Sequence, residues 1–151
     1  MTVSLRPARR EDVPAIVALL ADDGLGRGRE TVSDLKIYYD AFDEIATEPN
    51  NRLLVAEQDD AIVGTLQITF IRGLSRKGAK RAQIEAVRVA SSHRREGLGR
   101  EIFIAAIALA RKEGCSLVQL TTDKARGDAH RFYAQLGFVA SHEGMKLALD
   151  P

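Results

Sequence analysis

Cysteine is almost missing from this sequence: Cys115 stands alone among 151 residues. A single thiol excludes an intrachain disulfide, and with it the stapled frameworks on which small secreted domains rely. The chain therefore reads as a protein of a reducing, cytoplasmic compartment. Tryptophan is absent and aromatics make up 5%, which leaves few platforms for stacking nucleobases. Neither sign of charge dominates, since 22 Lys and Arg face 21 Asp and Glu for a net +1. That removes the broad basic field of a general nucleic-acid binder. No stretch approaches the roughly 18 apolar residues needed to span a bilayer, and the opening MTVSLRPARRED has no apolar signal-peptide core. Neither nucleic acid nor membrane is expected as a partner. Internal repeats and low-complexity tracts are also lacking, so the four prolines act as local punctuation. His93, His130, His142 and Cys115 show no metal-ligand spacing, and no metal is expected. His93 and His130 read as surface or supporting residues, with proton transfer by His130 as an alternative, and Cys115 as a packed thiol.

What is present is 45% apolar and 28% charged, enough to build the core of a single globular domain over residues 1–151. A strand is expected near Val3–Arg6. Asp12-Val13-Pro14 then opens a helix whose Ile16, Leu19 and Leu20 share a face. Thr31 with Asp34 resembles a capped start to a second helix reaching Ile45, with Leu35, Tyr38, Tyr39 and Phe42 at helical spacing. From Arg52 the period changes to two. LLVAE, the turn Gln58-Asp59-Asp60 and the alternating run through Phe70 predict an antiparallel hairpin. A basic loop, Arg72 to Arg81, leads to a strand over Gln83–Val89. A helix follows Gly97 and stops at Gly114, with Leu98, Ile102, Ala105, Ala106 and Leu109 on one side. Leu117–Leu120 reads as a buried strand, Asp128–Leu136 as a short helix, and Phe138–Ala140 and Met145–Leu149 as final strands. Antiparallel strands followed by strand–helix alternation predict an α/β fold on a mixed sheet.

The chemistry concentrates in Val87–Phe103, where a strand passes through a short loop into an amphipathic helix. Unpaired N–H groups at a helix start, with the helix dipole behind them, attract a diphosphate. Gly97 and Gly99 let a bulky anion approach the main chain, and Arg94, Arg95 and Arg100 add cations. A dinucleotide-binding fingerprint would need Gly or Ala where Ile102 stands, and a Walker loop would need Gly-Lys-Ser/Thr.

Arg94-x-x-Gly97-x-Gly99, behind the strand ending Val87-Arg88-Val89, resembles the pyrophosphate motif of the GNAT N-acetyltransferases. The run Ala129-His130-Arg131-Phe132-Tyr133-Ala134-Gln135-Leu136-Gly137-Phe138 is similar to that family's later A-x-x-F/L-Y-x-x-x-G-F segment. The order of elements matches over nearly the whole chain. The resemblance implies a mostly antiparallel twisted sheet of six to seven strands with about four helices, and acetyl-CoA as co-substrate. It implies that Val87, Arg88 and Val89 line the pantetheine arm. Arg94, Arg95, Glu96, Gly97, Leu98, Gly99 and Arg100 would wrap the diphosphate, with Phe132 contributing to the cofactor site. Tyr133 would protonate the departing thiolate. Where many members carry an Asn, this chain has Arg126, whose cation is an alternative phosphate ligand.

Acetyl transfer to an amine requires a neutral nucleophile, and hence a base. Glu85 is the candidate: simple alternation puts it on the face of Val87 and Val89. The competing roles are orienting the acceptor or pairing with an arginine. Tyr38, Tyr39, Phe42, Gln67 and Thr69 are nominated to frame the acceptor, a small amine or a peptide, and a homodimer is a soft expectation of the family. The basic 72–81 loop reads either as a mobile solvated loop or as an attractor of an acidic substrate or of the coenzyme's phosphates. The alternative function is a catalytically weak regulatory module that binds acetyl-CoA without turnover.

Overall fold

The computed structural model describes residues 3–22, 26–94 and 97–150. They form two compact units, one running to Gln119 and one from Leu120 onward.

In the first unit five strands lie in chain order across one sheet: β1 (Ser4–Pro7), β2 (Asn51–Gln58), β3 (Ala61–Arg72), β4 (Lys80–Val89) and β5 (Leu117–Gln119). The first four are mutually antiparallel, and β5 runs parallel to β4. A parallel neighbour requires a crossover, and helix α4 (Leu98–Lys112) supplies it. The β2–β3 turn holds Asp59 and Asp60 at φ 51° and 62°, the paired left-handed geometry that matches the twist of a two-residue hairpin. The basic stretch between β3 and β4 is shorter than expected, because β4 already begins at Lys80. Within it Arg76 and Lys77 adopt φ 55° and 61°, a left-handed turn tied by the Gly78 N–H to the Leu74 carbonyl at 2.9 Å.

The two sheet faces differ sharply. On one, Leu54, Ala56, Leu66, Ile68, Phe70, Ala82 and Ile84 are buried, and α4 covers them with Leu98, Ile102, Phe103, Ala106 and Ala110. This stripe is rotated slightly from the expected one, toward Phe103 and Ala110. Each fully buried Leu, Ile or Phe among them contributes about 1.5–3 kcal/mol, and each Ala less. Gly64 marks the closest approach: a Cβ there would lie 2.7 Å from Ile102 Cδ1 and 3.0 Å from the Arg88 carbonyl.

Over the opposite face lies α1 (Val13–Ala21), which buries Val13, Ile16, Val17 and Leu19. An ion-paired triad fixes its start. Arg6 on β1 donates to Asp12 Oδ2 at 2.7 Å and to Glu57 Oε2 on β2 at 2.9 Å, and the Arg9 N–H donates to Asp12 at 2.7 Å. The arginine holds the Asp12 carboxyl below its ordinary range. Thr65, 1% exposed, is satisfied by donating to the Leu54 carbonyl at 2.9 Å.

The second helical region differs from expectation. A single turn, α2 (Gly26–Arg29), precedes α3 (Lys36–Ile45), and residues 31–35 are not helical. Thr31 does not cap. Its N–H donates to the Tyr38 hydroxyl at 2.9 Å, and its hydroxyl pairs with Ser33. Asp34 accepts instead from the Lys36 N–H at 3.2 Å.

The second unit contains α5 (Gly127–Gln135), ended by Gly137 at φ 100°, where a residue without Cβ is favoured. The strands expected over 138–140 and 145–149 do not form, so five strands stand among the described residues where six to seven were expected. The apolar alternation is real, with Met145 93% and Leu147 86% exposed. Alternation gives a segment two faces but does not provide a neighbouring backbone to receive its N–H groups.

Candidate active site

A bulge interrupts the β3–β4 ladder at the stretch expected to line the pantetheine arm. Gln67 faces Glu85 and Thr65 faces Arg88, so Leu66 alone opposes both Ala86 and Val87. Ala86 takes φ 54°, the left-handed position of a bulge that Gly usually fills. The extra residue leaves backbone groups outside the ladder and reverses parity. Glu85 and Arg88 therefore share the Gln67–Thr65 face, while Val89 opposes Gly64 on the α4 face. The expectation that Glu85 and Val89 share a face by alternation is thus corrected, because a bulge adds one residue to the count.

β4 continues through a short 3-10 turn, Ser91–His93, into the start of α4. Gly97 occupies the N-cap at φ 76° and supplies no side-chain cap. The first intrahelical bond is from the Glu101 N–H to the Gly97 carbonyl at 3.1 Å, so the N–H groups before it point out of the helix without a capping side chain. Leu98 is buried and anchors the turn, while Gly99 is half-buried and Arg100 exposed. Arg94 folds back: its guanidinium donates to the Asp22 carbonyl at 2.8 Å and to the Val89 carbonyl at 3.3 Å, and lies 3.6 Å from the Asp22 carboxylate. It braces the loop against the end of α1. Arg95 and Glu96 lie outside the described residues. Arg88 donates to the Val87 carbonyl at 2.9 Å. The chemistry of this helix start fits a diphosphate, and the bulge fits an extended polar arm seeking backbone partners.

A feature missed in the sequence lies on the Glu85 face. Gln67 donates to Asn51 Oδ1 at 2.8 Å, and Gln119 donates to Gln83 Oε1 at 2.7 Å. With Thr69 and exposed Glu85 they make a polar band across four strands. Gln67 and Thr69 were legible as candidates. Asn51, Gln83 and Gln119 join them only through register, since each has an ordinary strand position in the sequence. The other acceptor nominations have structural partners: Tyr38 donates to Glu30 at 2.9 Å, the Arg10 guanidinium lies 4.5 Å from the centre of the Tyr39 ring, and Phe42 is half-buried on α3.

In the second unit Tyr133 sits half-buried on α5, edge-on to Phe132 and Phe138 with ring centres 5.5 and 5.9 Å away. Arg126 is exposed at the N-cap of α5, where its carbonyl accepts from the His130 N–H at 3.2 Å. Among the described residues no cluster of His, Cys, Asp and Glu could hold a metal, and no helix is long and apolar enough to cross a membrane.

A bulged strand running toward an uncapped helix start on a mixed α/β sheet fits an extended ligand that ends in a diphosphate. Residues 15–138 match the model of the acetyltransferase (GNAT) family, and the chain belongs to that family of N-acetyltransferases, which uses acetyl-CoA as co-substrate. It is similar to an aminoalkylphosphonate N-acetyltransferase of Salmonella typhimurium, 27% identical over 138 residues that cover 91% of this chain and 86% of the relative. It is also similar to a transcriptional regulator from Bacillus halodurans C-125, with a TM-score of 0.92 and 48% identity over 97% of this chain and 99% of that one. Glucosamine-6-phosphate N-acetyltransferase from Arabidopsis thaliana shares the fold, with a TM-score of 0.79 and 22% identity over 99% of this chain and 100% of that one.

Proposed function

We propose that this chain transfers the acetyl group of acetyl-CoA to the primary amine of a small molecule or peptide, by direct attack in a ternary complex. The observation that carries this reading is the bulge at Ala86 followed by the uncapped helix start at Gly97. In this reading the N–H groups of Leu98, Gly99 and Arg100 bind the diphosphate, with Arg95 and Glu96 in the same loop. The backbone of Val87, Arg88 and Val89 receives the pantetheine arm, and a backbone N–H there polarises the thioester carbonyl as charge develops on its oxygen. Phe132 and Arg126 belong to the same cofactor-binding set.

Glu85 takes the proton from the incoming ammonium group, so that a neutral nitrogen attacks. Tyr133 gives a proton to the thiolate as the carbon–sulfur bond breaks. The likeness to an aminoalkylphosphonate N-acetyltransferase supports a small amine as acceptor. A second reading, in which acetyl-CoA binding serves as a signal, is favoured by the 48% identity to a protein described as a transcriptional regulator.

Calorimetric titration with acetyl-CoA, with ATP as control, tests the reading. Saturable binding tighter than that of ATP is expected, and Gly99→Glu should weaken it at least about tenfold by bringing a carboxylate to the diphosphate. Tyr133→Phe should slow thiol release in an amine screen while leaving affinity for acetyl-CoA near wild type. No binding by folded protein free of copurified coenzyme would overturn the assignment. Binding without release from any amine would favour the signalling reading.

A further inference from the structure

Arg81 occupies an unusual position. It opposes Ile71 on β3 and Leu117 on β5, which puts it on the same sheet face as Gln83 and Glu85. It is half-buried, and among the described residues no carboxylate pairs with it. Its guanidinium lies against the start of the β3–β4 loop, where a Cβ on Gly73 would stand 3.8 Å from Arg81 Nη1. No acidic residue occurs between Asp60 and Glu85 in the sequence, while Arg72, Arg76, Lys77, Lys80 and Arg81 fall between them. A guanidinium partly withdrawn from water without a counter-ion is poised for an oxyanion, which its planar fork binds bidentately.

The same face supplies the rest of a binding track. From Arg81 the regular part of β4 leads past Gln83 to Glu85, and the Gln83–Gln119 and Gln67–Asn51 amide pairs lie on this face. Four residues at roughly 3.3 Å each separate Arg81 from Glu85 by about 13 Å. We propose that this track is the acceptor site, and that Arg81 selects hydrophilic amines carrying an oxyanion at the end remote from the nucleophile. This rests on the acetyl-transfer reading and on Glu85 marking the amine end. It adds the acceptor's charge and length: phosphate, phosphonate or carboxylate, spaced on the order of 10–15 Å from the amine.

The test compares 8-aminooctyl phosphate, 10-aminodecanoate, uncharged 8-aminooctanol and the short 2-aminoethyl phosphate. Thiol release is followed, with calorimetric binding to the protein saturated with coenzyme A as a second readout. The long anionic amines are expected to exceed the alcohol by at least about tenfold in kcat/KM and in affinity, and the phosphate–carboxylate comparison identifies the preferred oxyanion. The short phosphate, which cannot span the track, should gain much less. Arg81→Gln should abolish the difference between long anionic and neutral amines, and Arg81→Lys should restore part of it. Lys77→Gln, an exposed loop cation, should preserve it.

Equal handling of the anion and the alcohol by the wild type would overturn the proposal. So would an effect of Lys77→Gln as large as that of Arg81→Gln, which would indicate a diffuse field. Arg81-dependent binding without thiol release from any amine would instead uphold the anion site and count against acetyl transfer.

Discussion

Ala86 is the residue on which the geometry of the site turns. A side chain with Cβ costs about 1–2 kcal/mol in the left-handed region, and a β-branched one costs more. Ala86→Gly should therefore be neutral or stabilising by up to about 1 kcal/mol, since the relief is offset by the greater freedom of Gly in the unfolded chain. Ala86→Val should destabilise by about 1–3 kcal/mol. Urea unfolding decides between them, and a Gly variant less stable than the Val variant would contradict a bulge with positive φ at this position. Nothing in the string GlnIleGluAlaValArgVal announces the bulge, because Ala is not a bulge residue by composition. Glu85 was therefore legible as a carboxylate on β4, but its face was not. Arg81 was hidden for a related reason: it read as one cation among several in a loop, and only pairing with Ile71 and Leu117 sets it apart from Lys80 on the other face. There Lys80 donates to the Glu113 carbonyl at 3.0 Å.

At the scale of elements, helix α4 couples the site to the core. It begins at the Gly97 turn and presses Ile102 onto Gly64, directly opposite Val89. Gly64→Ala should cost about 1–3 kcal/mol, the usual range for overpacking, because one of its contacts is backbone and cannot swing away. Ile102→Val in the same chain should recover only part of that loss. Thermal unfolding of the single and double variants tests this, and full recovery would assign the whole clash to the flexible Ile102 tip. The α4 helix was the easiest element to read, since its apolar period, Gly97 and Gly114 agree on type and limits. The last two strands were the hardest. Their alternating pattern records a tendency to extend, and a tendency becomes a strand only when another backbone completes the hydrogen bonds.

Across the first unit, the Arg6–Asp12–Glu57 triad joins β1, β2 and the start of α1, and it gives the protein an acid limit. Asp12 is 6% exposed, and its carboxyl is held below an ordinary value of 3.8, chiefly by the hydrogen bond from Arg6. A depressed carboxyl stabilises the fold while the pH stays above that ordinary value, and the contribution is lost as pH falls through the lower native value. Asp12→Asn should cost about 2 kcal/mol at neutral pH, and the gap to wild type should narrow below about pH 4. Denaturant midpoints at pH 7 and pH 3 provide the check. A gap of constant size would mean that packing, not charge, carries the effect.

The sequence by itself determined the α/β class, the order of nearly all elements and the glycine-marked start and end of α4. All of these follow from composition and from patterns a few residues long, where local propensity and caps act. Tertiary structure alone decided which side chains share a face beyond the bulge, that Gln83 meets Gln119, and that among the described residues no carboxylate pairs with Arg81 while two pair with Arg6. Those outcomes depend on register between strands far apart in the chain. One inserted residue reverses a face there, and no local pattern fixes which backbone will lie alongside which.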